Sequence, residues 1–342
     1  TGIENFRYIT LRSILIKVFY VISVFIFVRD TSDYRLYFIL TVGVVVLNAF
    51  INQLYIRKFV RIRWCNIQLF KYIKPNITLG IYTLMSSMYL TFNVMYLGLV
   101  SDNTEVGYYT TAFKLYSVLL GFFTAFTSVM LPRMSSLLAN GENARFQELV
   151  DRSCSVVATF CIPLILYGII LAPQIIYTLS GPEYEGAIFP MRIIMPAAFA
   201  VGMAQVLAIQ ILMPMKKDRV LLMASIIGAI VSLLINLLVV PYVASVGSAV
   251  VLLCSEMVVA ATYVVYVLSH RLARIPIRIV WENICYSLPG ALVCWGCSRW
   301  IENEFVVVVC AVILAGTVWI IVQVIAKTSV GERMKSLLLL RR

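Results

Sequence analysis

Runs of apolar residues, each long enough to cross a bilayer and separated by short polar loops, repeat along the whole chain. Ten such stretches fall at residues 11–28, 36–55, 75–100, 112–133, 153–179, 187–213, 219–240, 246–269, 283–300 and 305–326. A helix needs about 20 apolar residues to cross a membrane. Backbone groups in hydrocarbon find no water, so a spanning segment must bond within itself as a helix or close into a barrel. Barrel strands alternate in polarity over about 10 residues, whereas these runs are continuously apolar for longer. The pattern predicts an all-α, polytopic helical membrane protein with ten transmembrane helices. A composition of 61% hydrophobic and 13% charged residues agrees, because a water-soluble chain of this size needs more polar surface.

Charge sorts the loops into two kinds. Most of the 28 basic residues stand before the first span, in stretch 56–74, in loops 133–152, 214–219 and 270–282, and in the tail after residue 326. The alternate loops hold mainly Asp30, Asp33, Asp102, Glu105, Glu183, Glu185, Glu302 and Glu304. The positive-inside rule then places both ends of the chain in the cytoplasm, which an even number of spans allows. It also accounts for the net charge of +12 without nucleic acid, since the basic groups mark membrane ends and form no single face. Stretch 56–74 has two compatible readings. Ile56, Phe59, Val60, Ile67 and Phe70 recur at helical spacing among six basic residues, as in a helix lying on anionic lipid. The same residues would equally serve as a linker supplying topological charge.

Enzymatic chemistry finds few candidates. The single histidine, His270, sits beside Arg271 at a helix end, so His-based dyads and metal sites have no basis. Seven of the eight cysteines lie within or at the ends of apolar runs, where a thiol behaves as a small hydrophobe. Cys294 and Cys297 form a C-x-x-C, with neither a thioredoxin-like strand–helix unit nor a second pair for zinc. No cofactor, no metal and no enzymatic activity are expected. Asn76-Ile77-Thr78 matches a glycosylation sequon at a cytoplasmic edge, where it has no meaning. Residues 1–12 read as a cytoplasmic loop and not as a signal peptide, so the chain reads as a fragment.

The polar groups inside the spans carry the functional information. Thr78, Tyr82, Ser86, Tyr89, Asn93 and Tyr96 follow at steps of three and four, which confines them to about 80° of one helix face. Thr110, Lys114, Ser117, Gly121, Thr124 and Ser128 repeat the feature in the next span. Ser13, Lys17 and Tyr20 are in register in the first, Arg192 stands between Pro190 and Pro196, and Glu256 shares a side with Ser245 and Tyr263. An ionised group near a bilayer centre costs about 2.5 to 3.5 kcal/mol on insertion scales, so such residues face a bundle interior or water. Lys114 and Arg192 lie near span ends, where snorkelling anchors are an equal reading. Lys17 and Glu256 lie deeper, with a structural ion pair or hydrogen-bond network as the rival reading. A chamber shared by Lys17, Lys114 and Arg192 would be cationic and would accept an anion such as a phosphate ester. Tyr82 and Tyr89 would offer flat amphipathic faces to sugar rings, next to Asn93.

These residues resemble a family. Residues 101–138, with Glu105-Val106-Gly107-Tyr108-Tyr109-Thr110 and Leu131-Pro132-Arg133-Met134-Ser135, are similar to a loop and helix of Wzx-type flippases of lipid-linked oligosaccharides, in the multidrug and polysaccharide exporter superfamily. Gly2–Thr10, Gly181-Pro182-Glu183-Tyr184 with Ala187, Pro190 and Arg192, and Gln210–Pro214 with Lys216 and Lys217 add to the resemblance, which covers about residues 1–270. It implies a fourteen-helix, two-lobe, MATE-like transporter truncated at its N-terminus. Residues 1–55 would be the last two helices of the first lobe, 56–74 a basic linker, 75–270 the six-helix second lobe, and 271–342 an appended pair with a basic tail. The implied function is to flip undecaprenyl-pyrophosphate-linked oligosaccharide, such as O-antigen or capsule repeat units, across the bacterial cytoplasmic membrane by alternating access. Lys17, Lys114, Arg192, Tyr82, Tyr89 and Asn93 would bind substrate and Glu256 would couple to an ion. Anionic lipids and the polysaccharide polymerase machinery are the other expected partners, and nucleic acid is not. Many relatives have aspartate where Asn93 stands, so no ion-coupling role carries over to that position. A peptidoglycan-precursor flippase is the nearest alternative. A multidrug cation antiporter would need more acid than base in its cavity.

Overall fold

The computed structural model describes residues 6–29, 33–57, 91–276 and 278–326, with scattered positions between 73 and 87. Every regular element among the described residues is helical. Six of these helices are long and apolar enough to cross a membrane, and a pair bent by 44° over Pro182–Ile194 and Ala197–Leu212 makes a seventh. The protein is therefore multi-pass. The expected span at 75–100 lies partly outside the described residues.

The chain forms two compact units, residues 1–69 and 70–342. The first contains α1 (Phe6–Phe27) and α2 (Tyr34–Ile56). Three contacts set them antiparallel and in register. The Tyr8 and Tyr55 rings stack at 3.6 Å, Arg12 Nη1 donates to Asn52 Oδ1 at 2.9 Å, and Tyr20 and Thr41 share a hydrogen bond of 3.0 Å. Ile16 and Ser23 are buried, while Leu15, Phe19, Phe25, Phe38, Val45 and Phe50 remain exposed, as lipid-facing side chains would be.

In the second unit, α3 (Asn93–Val100) leads into α4 (Asn103–Ala139), whose start is fixed by the Asp102 carboxylate accepting from the Glu105 N–H at 2.9 Å. Gly141, at φ +71°, ends α4: the Glu142 N–H reaches Leu137 O and the Gly141 N–H reaches Leu138 O. Then come α5 (Asn143–Ile170), α6 (Ala172–Ser180), a 3₁₀ turn (Pro182–Ala187), α7 (Ile188–Ile194) and α8 (Ala197–Gln205). A π-helical turn over Val206–Leu212 follows, with the Met213 N–H bonded five residues back to Ala208 O. Small residues bring α8 close to α5: a Cβ on Gly202 would stand 2.8 Å from Val157 Cγ1.

Helix α9 spans Asp218–Ser269 but turns sharply at Ala244 (φ 43°, ψ −118°). A Cβ on Gly247 would lie 2.9 Å from Val240 Cα, whereas seven residues of straight helix would separate them by about 10 Å. The turn divides the helix where the sequence places the boundary between spans 219–240 and 246–269, and the Glu105 carboxylate caps the second limb, accepting from the Ser245 N–H at 3.0 Å. Helices α10 (Arg278–Trp300) and α11 (Glu304–Ile325) complete the unit. Tyr167 of α5 fits a notch at Gly290, and Gln323 Nε2 donates to Asn283 Oδ1 at 3.3 Å. The segment before α10 is held by Gln147, whose side-chain amide both donates to Arg274 O and accepts from the Arg274 N–H.

Candidate functional site

The buried side of α4 carries Tyr109, Ala112, Tyr116, Phe123, Thr127 and Met134 into the core. Its other side is the polar stripe seen in the sequence. Lys114, Gly121, Thr124 and Ser128 are exposed, and Thr110 and Ser117 half-buried. The hydroxyls of Thr110, Ser117, Thr124 and Ser128 donate to carbonyls three or four residues back, which satisfies them within the helix. No atom lies within 4 Å of where a Gly121 Cβ would stand, so space beside the stripe is open.

Next to this stripe is a cavity of about 180 Å³ whose polar lining is Tyr82, Thr124, Gln205, Glu256 and Tyr263. Helical periodicity puts Glu256 and Tyr263 on one side of α9, since seven residues make close to two turns. Gln205 enters because α8 ends there and the chain widens into the π turn, a distortion that recurs at functional sites. Its side chain is oriented from both ends, with Nε2 donating to Thr124 Oγ1 at 3.1 Å and Oε1 accepting from Thr127 Oγ1 at 3.3 Å. Glu256 is 5% exposed, and no described residue forms a hydrogen bond or ion pair with it.

Asn93 is wholly buried. Its Nδ2 donates to Tyr109 OH and to Ser248 O, both at 2.9 Å, tying α3 to α4 and α9. Asn93→Leu is expected to lower stability by about 1–2 kcal/mol, because it leaves the Ser248 carbonyl and the Tyr109 hydroxyl short of a donor. A melting temperature unchanged from wild type would contradict that role.

The remaining residues singled out by sequence are spread over both units. Lys17 is exposed on α1 of the first unit. In the second, Lys114 is on the open stripe, and Arg192 is exposed with its Nε donating to Ile169 O at 3.2 Å, close to the C-terminus of α5. Tyr82 is half-buried at the cavity, and Tyr89 lies outside the described residues. The sequence reading passed over Gln205 and took Gln210 only as part of the family resemblance, although an amide in an apolar run is the same kind of signal that drew attention to Asn93. Gln210 is fully buried with neither amide atom bonded.

Comparison with known proteins agrees with the sequence resemblance. The family described as "Polysaccharide biosynthesis protein" matches residues 1–138. The chain is 26% identical over 280 residues to the Escherichia coli (strain K12) protein named "Putative O-antigen transporter", covering 79% of this chain and 66% of that protein. Its fold is similar to "Lipid II flippase MurJ, inward closed conformation", with a TM-score of 0.71 at 13% identity, over 91% of this chain and 65% of that one. The chain spans just under two thirds of the length of both. The resemblance drawn from the residues is thereby borne out: the chain is similar to a family of polysaccharide biosynthesis proteins and to a putative O-antigen transporter, and it shares its membrane fold with a lipid II flippase.

Proposed function

We propose that this protein translocates undecaprenyl-pyrophosphate-linked oligosaccharide repeat units across the bacterial cytoplasmic membrane by alternating access, for surface polysaccharide synthesis. The observation that carries the reading is the uncovered polar stripe of α4, with Lys114 on it and open space beside Gly121. A membrane helix keeps such a face only where water or a polar ligand meets it. Lys17, Lys114 and Arg192 supply the positive charge for a pyrophosphate, Tyr82 and Tyr89 the faces for sugars, and Glu256 the coupling to an ion. In this reading the chain is the later part of a fourteen-helix, two-lobe transporter, with both its ends in the cytoplasm and residues 271–342 as an appended pair and tail. It acts as a carrier and not as an enzyme.

The full-length protein is expected to restore export of lipid-linked repeat units in a strain blocked at that step. A second reading, a flippase for a peptidoglycan precursor, is favoured by the similarity to the lipid II flippase structure. Rescue of a peptidoglycan-flippase deletion, with no rescue of repeat-unit export, would replace the first reading by the second. Lys17→Ala and Arg192→Ala are each expected to reduce export while leaving the amount of membrane-inserted protein unchanged. Wild-type surface polymer in both variants would remove the cationic-site assignment.

A further inference from the structure

A second cavity, of about 320 Å³, lies between α5, α8, the second limb of α9 and the start of α10. Its lining is apolar throughout, and Ala158, Ala200, Ala260 and Ala261 keep it open where longer side chains would close it. Met257 and Ala261 in its wall are exposed among the described residues, so the cavity opens sideways, where a membrane protein meets lipid. From Met257 to the end of α9 at Ser269 is about 18 Å of helix, close to the ~15 Å of hydrocarbon in one leaflet. A methylene group is near a water in size, and each water takes about 30 Å³, so the cavity holds on the order of ten carbons of a lipid chain.

Two arginines stand where such a chain would meet its headgroup. Steps of three and four along α9 lead from Met257 through Ala261 and Val264 to Leu268 and then Arg271. Arg274 directly precedes Ile275 and Pro276, which line the cavity, and its backbone is fixed by the Gln147 amide on both sides, at 2.9 and 3.0 Å. Both side chains are exposed, and neither guanidinium has a hydrogen bond or ion pair with a described residue. The acids nearby are engaged elsewhere: Glu148 with Arg152, Glu282 with Arg278, and Asp151 with the Gln147 amide. Arg271 is also the residue that ends α9, at φ 51°, with its N–H bonded to Leu268 O and the Leu272 N–H to Val267 O. Glycine takes this left-handed position without strain, so an arginine there costs the fold something that its own contacts do not return.

We infer that this cavity, with Arg271 and Arg274 at its rim, is a binding site for a phospholipid with an anionic headgroup, one chain in the cavity and the phosphate against the two guanidiniums. Hydrocarbon gains little by moving from the bilayer into an apolar groove, so the chain sets the position and the arginines set the choice of lipid. Each basic group near an anionic headgroup favours it by about fivefold, and the pair by about an order of magnitude or more. The sequence places its contact with anionic lipid at stretch 56–74; this site is separate from it, and it holds whatever the protein carries.

The test is thermal unfolding of the full chain in nanodiscs of phosphatidylcholine in which phosphatidylglycerol replaces an increasing share of the lipid, at fixed pH and salt. Phosphatidylglycerol is expected to raise the melting temperature saturably by several degrees, as a ligand of the folded state does. Arg271→Gly combined with Arg274→Gln should remove most of that rise, while Lys217→Gln combined with Arg219→Gln, an equal loss of charge on another loop, should keep it. Ala261→Phe, which fills the cavity and leaves the charge alone, should also remove it. Arg271→Gly by itself should melt no lower than the natural protein in phosphatidylcholine; a fall there would make the residue structural and overturn its headgroup role. No response to phosphatidylglycerol, an unchanged response in the Arg271 and Arg274 variant, or an equal loss in the Lys217 and Arg219 variant would overturn the site. So would the same rise with inorganic phosphate in phosphatidylcholine, which would make the ligand a free anion and leave the cavity without a part.

Discussion

Gly247→Val is expected to prevent the protein from accumulating in the membrane as a folded species, with a loss of about 3 kcal/mol or more. The added Cβ would stand 2.9 Å from Val240 Cα and 3.2 Å from Val240 N, which are backbone atoms, and 3.1 Å from Val243 Cγ2. A flexible side-chain end could swing away from such a contact, but backbone on the other side of a sharp turn cannot without opening the turn. Opening it would also part the Ser245 N–H from Glu105 and the Ser248 carbonyl from Asn93, so three helices lose their register together. The same turn gives a change of opposite sign. Ala244 has φ 43° and ψ −118°, the conformation of the first central residue of a type II′ turn, where glycine is normally found. Ala244→Gly is therefore expected to stabilise by about 1 kcal/mol. Unfolding of the purified variants checks both, and normal yield and melting of Gly247→Val would mean that the turn is not tightly packed.

Lys114→Glu should lower export of lipid-linked repeat units by at least about tenfold with normal protein levels. The side chain is exposed on the polar stripe of α4, and neither a hydrogen bond nor a salt bridge ties it to a described residue, so folding loses little by its replacement. A pyrophosphate would lose an attraction and gain a repulsion, and each 1.4 kcal/mol of that change is about a factor of ten. Lys114→Arg keeps the charge and should retain most activity. Arg192 also donates an exposed hydrogen bond to Ile169 O, so its alanine variant should lower export together with a small fall in melting temperature, the amount of inserted protein staying unchanged. Undiminished export by Lys114→Glu would separate the stripe from substrate passage.

Reading polarity along the spans located the stripe of α4 and the pairing of Glu256 with Tyr263, because helical geometry fixes which residues share a face whatever the neighbours are. The same reading could not tell a buried polar residue used for packing from one that faces a cavity. Asn93 and Tyr82 stand on one predicted face, yet Asn93 spends its amide on Tyr109 and Ser248 while Tyr82 reaches the cavity. Gln205 escaped notice because its place in the site depends on the π turn that follows it, a local rewinding with no strong sequence signature. Helix α10 was expected as a span, but it is not among the helices apolar enough to cross on their own account. Its polar residues are used instead, with Asn283 bonded to Gln323 of α11 and the Ser287 carbonyl accepting from the Tyr167 hydroxyl of α5.

By itself, the amino-acid sequence determined that the chain is helical and multi-pass, because hydrocarbon leaves the backbone no partner but its own helix and about 20 apolar residues are the length that a bilayer requires. It also determined which side chains lie together on each helix, and with them the resemblance to polysaccharide flippases. Only the tertiary structure decided which of those polar groups are spent on one another and which are left facing open space. That depends on groups more than 100 residues apart, such as Asn93 with the Ser248 carbonyl, Glu105 with the Ser245 N–H, and Glu256 with Thr124 across the cavity. Their approach is set by a turn at Ala244 and close contacts at Gly202 and Gly247, where the absence of a side chain lets backbones meet.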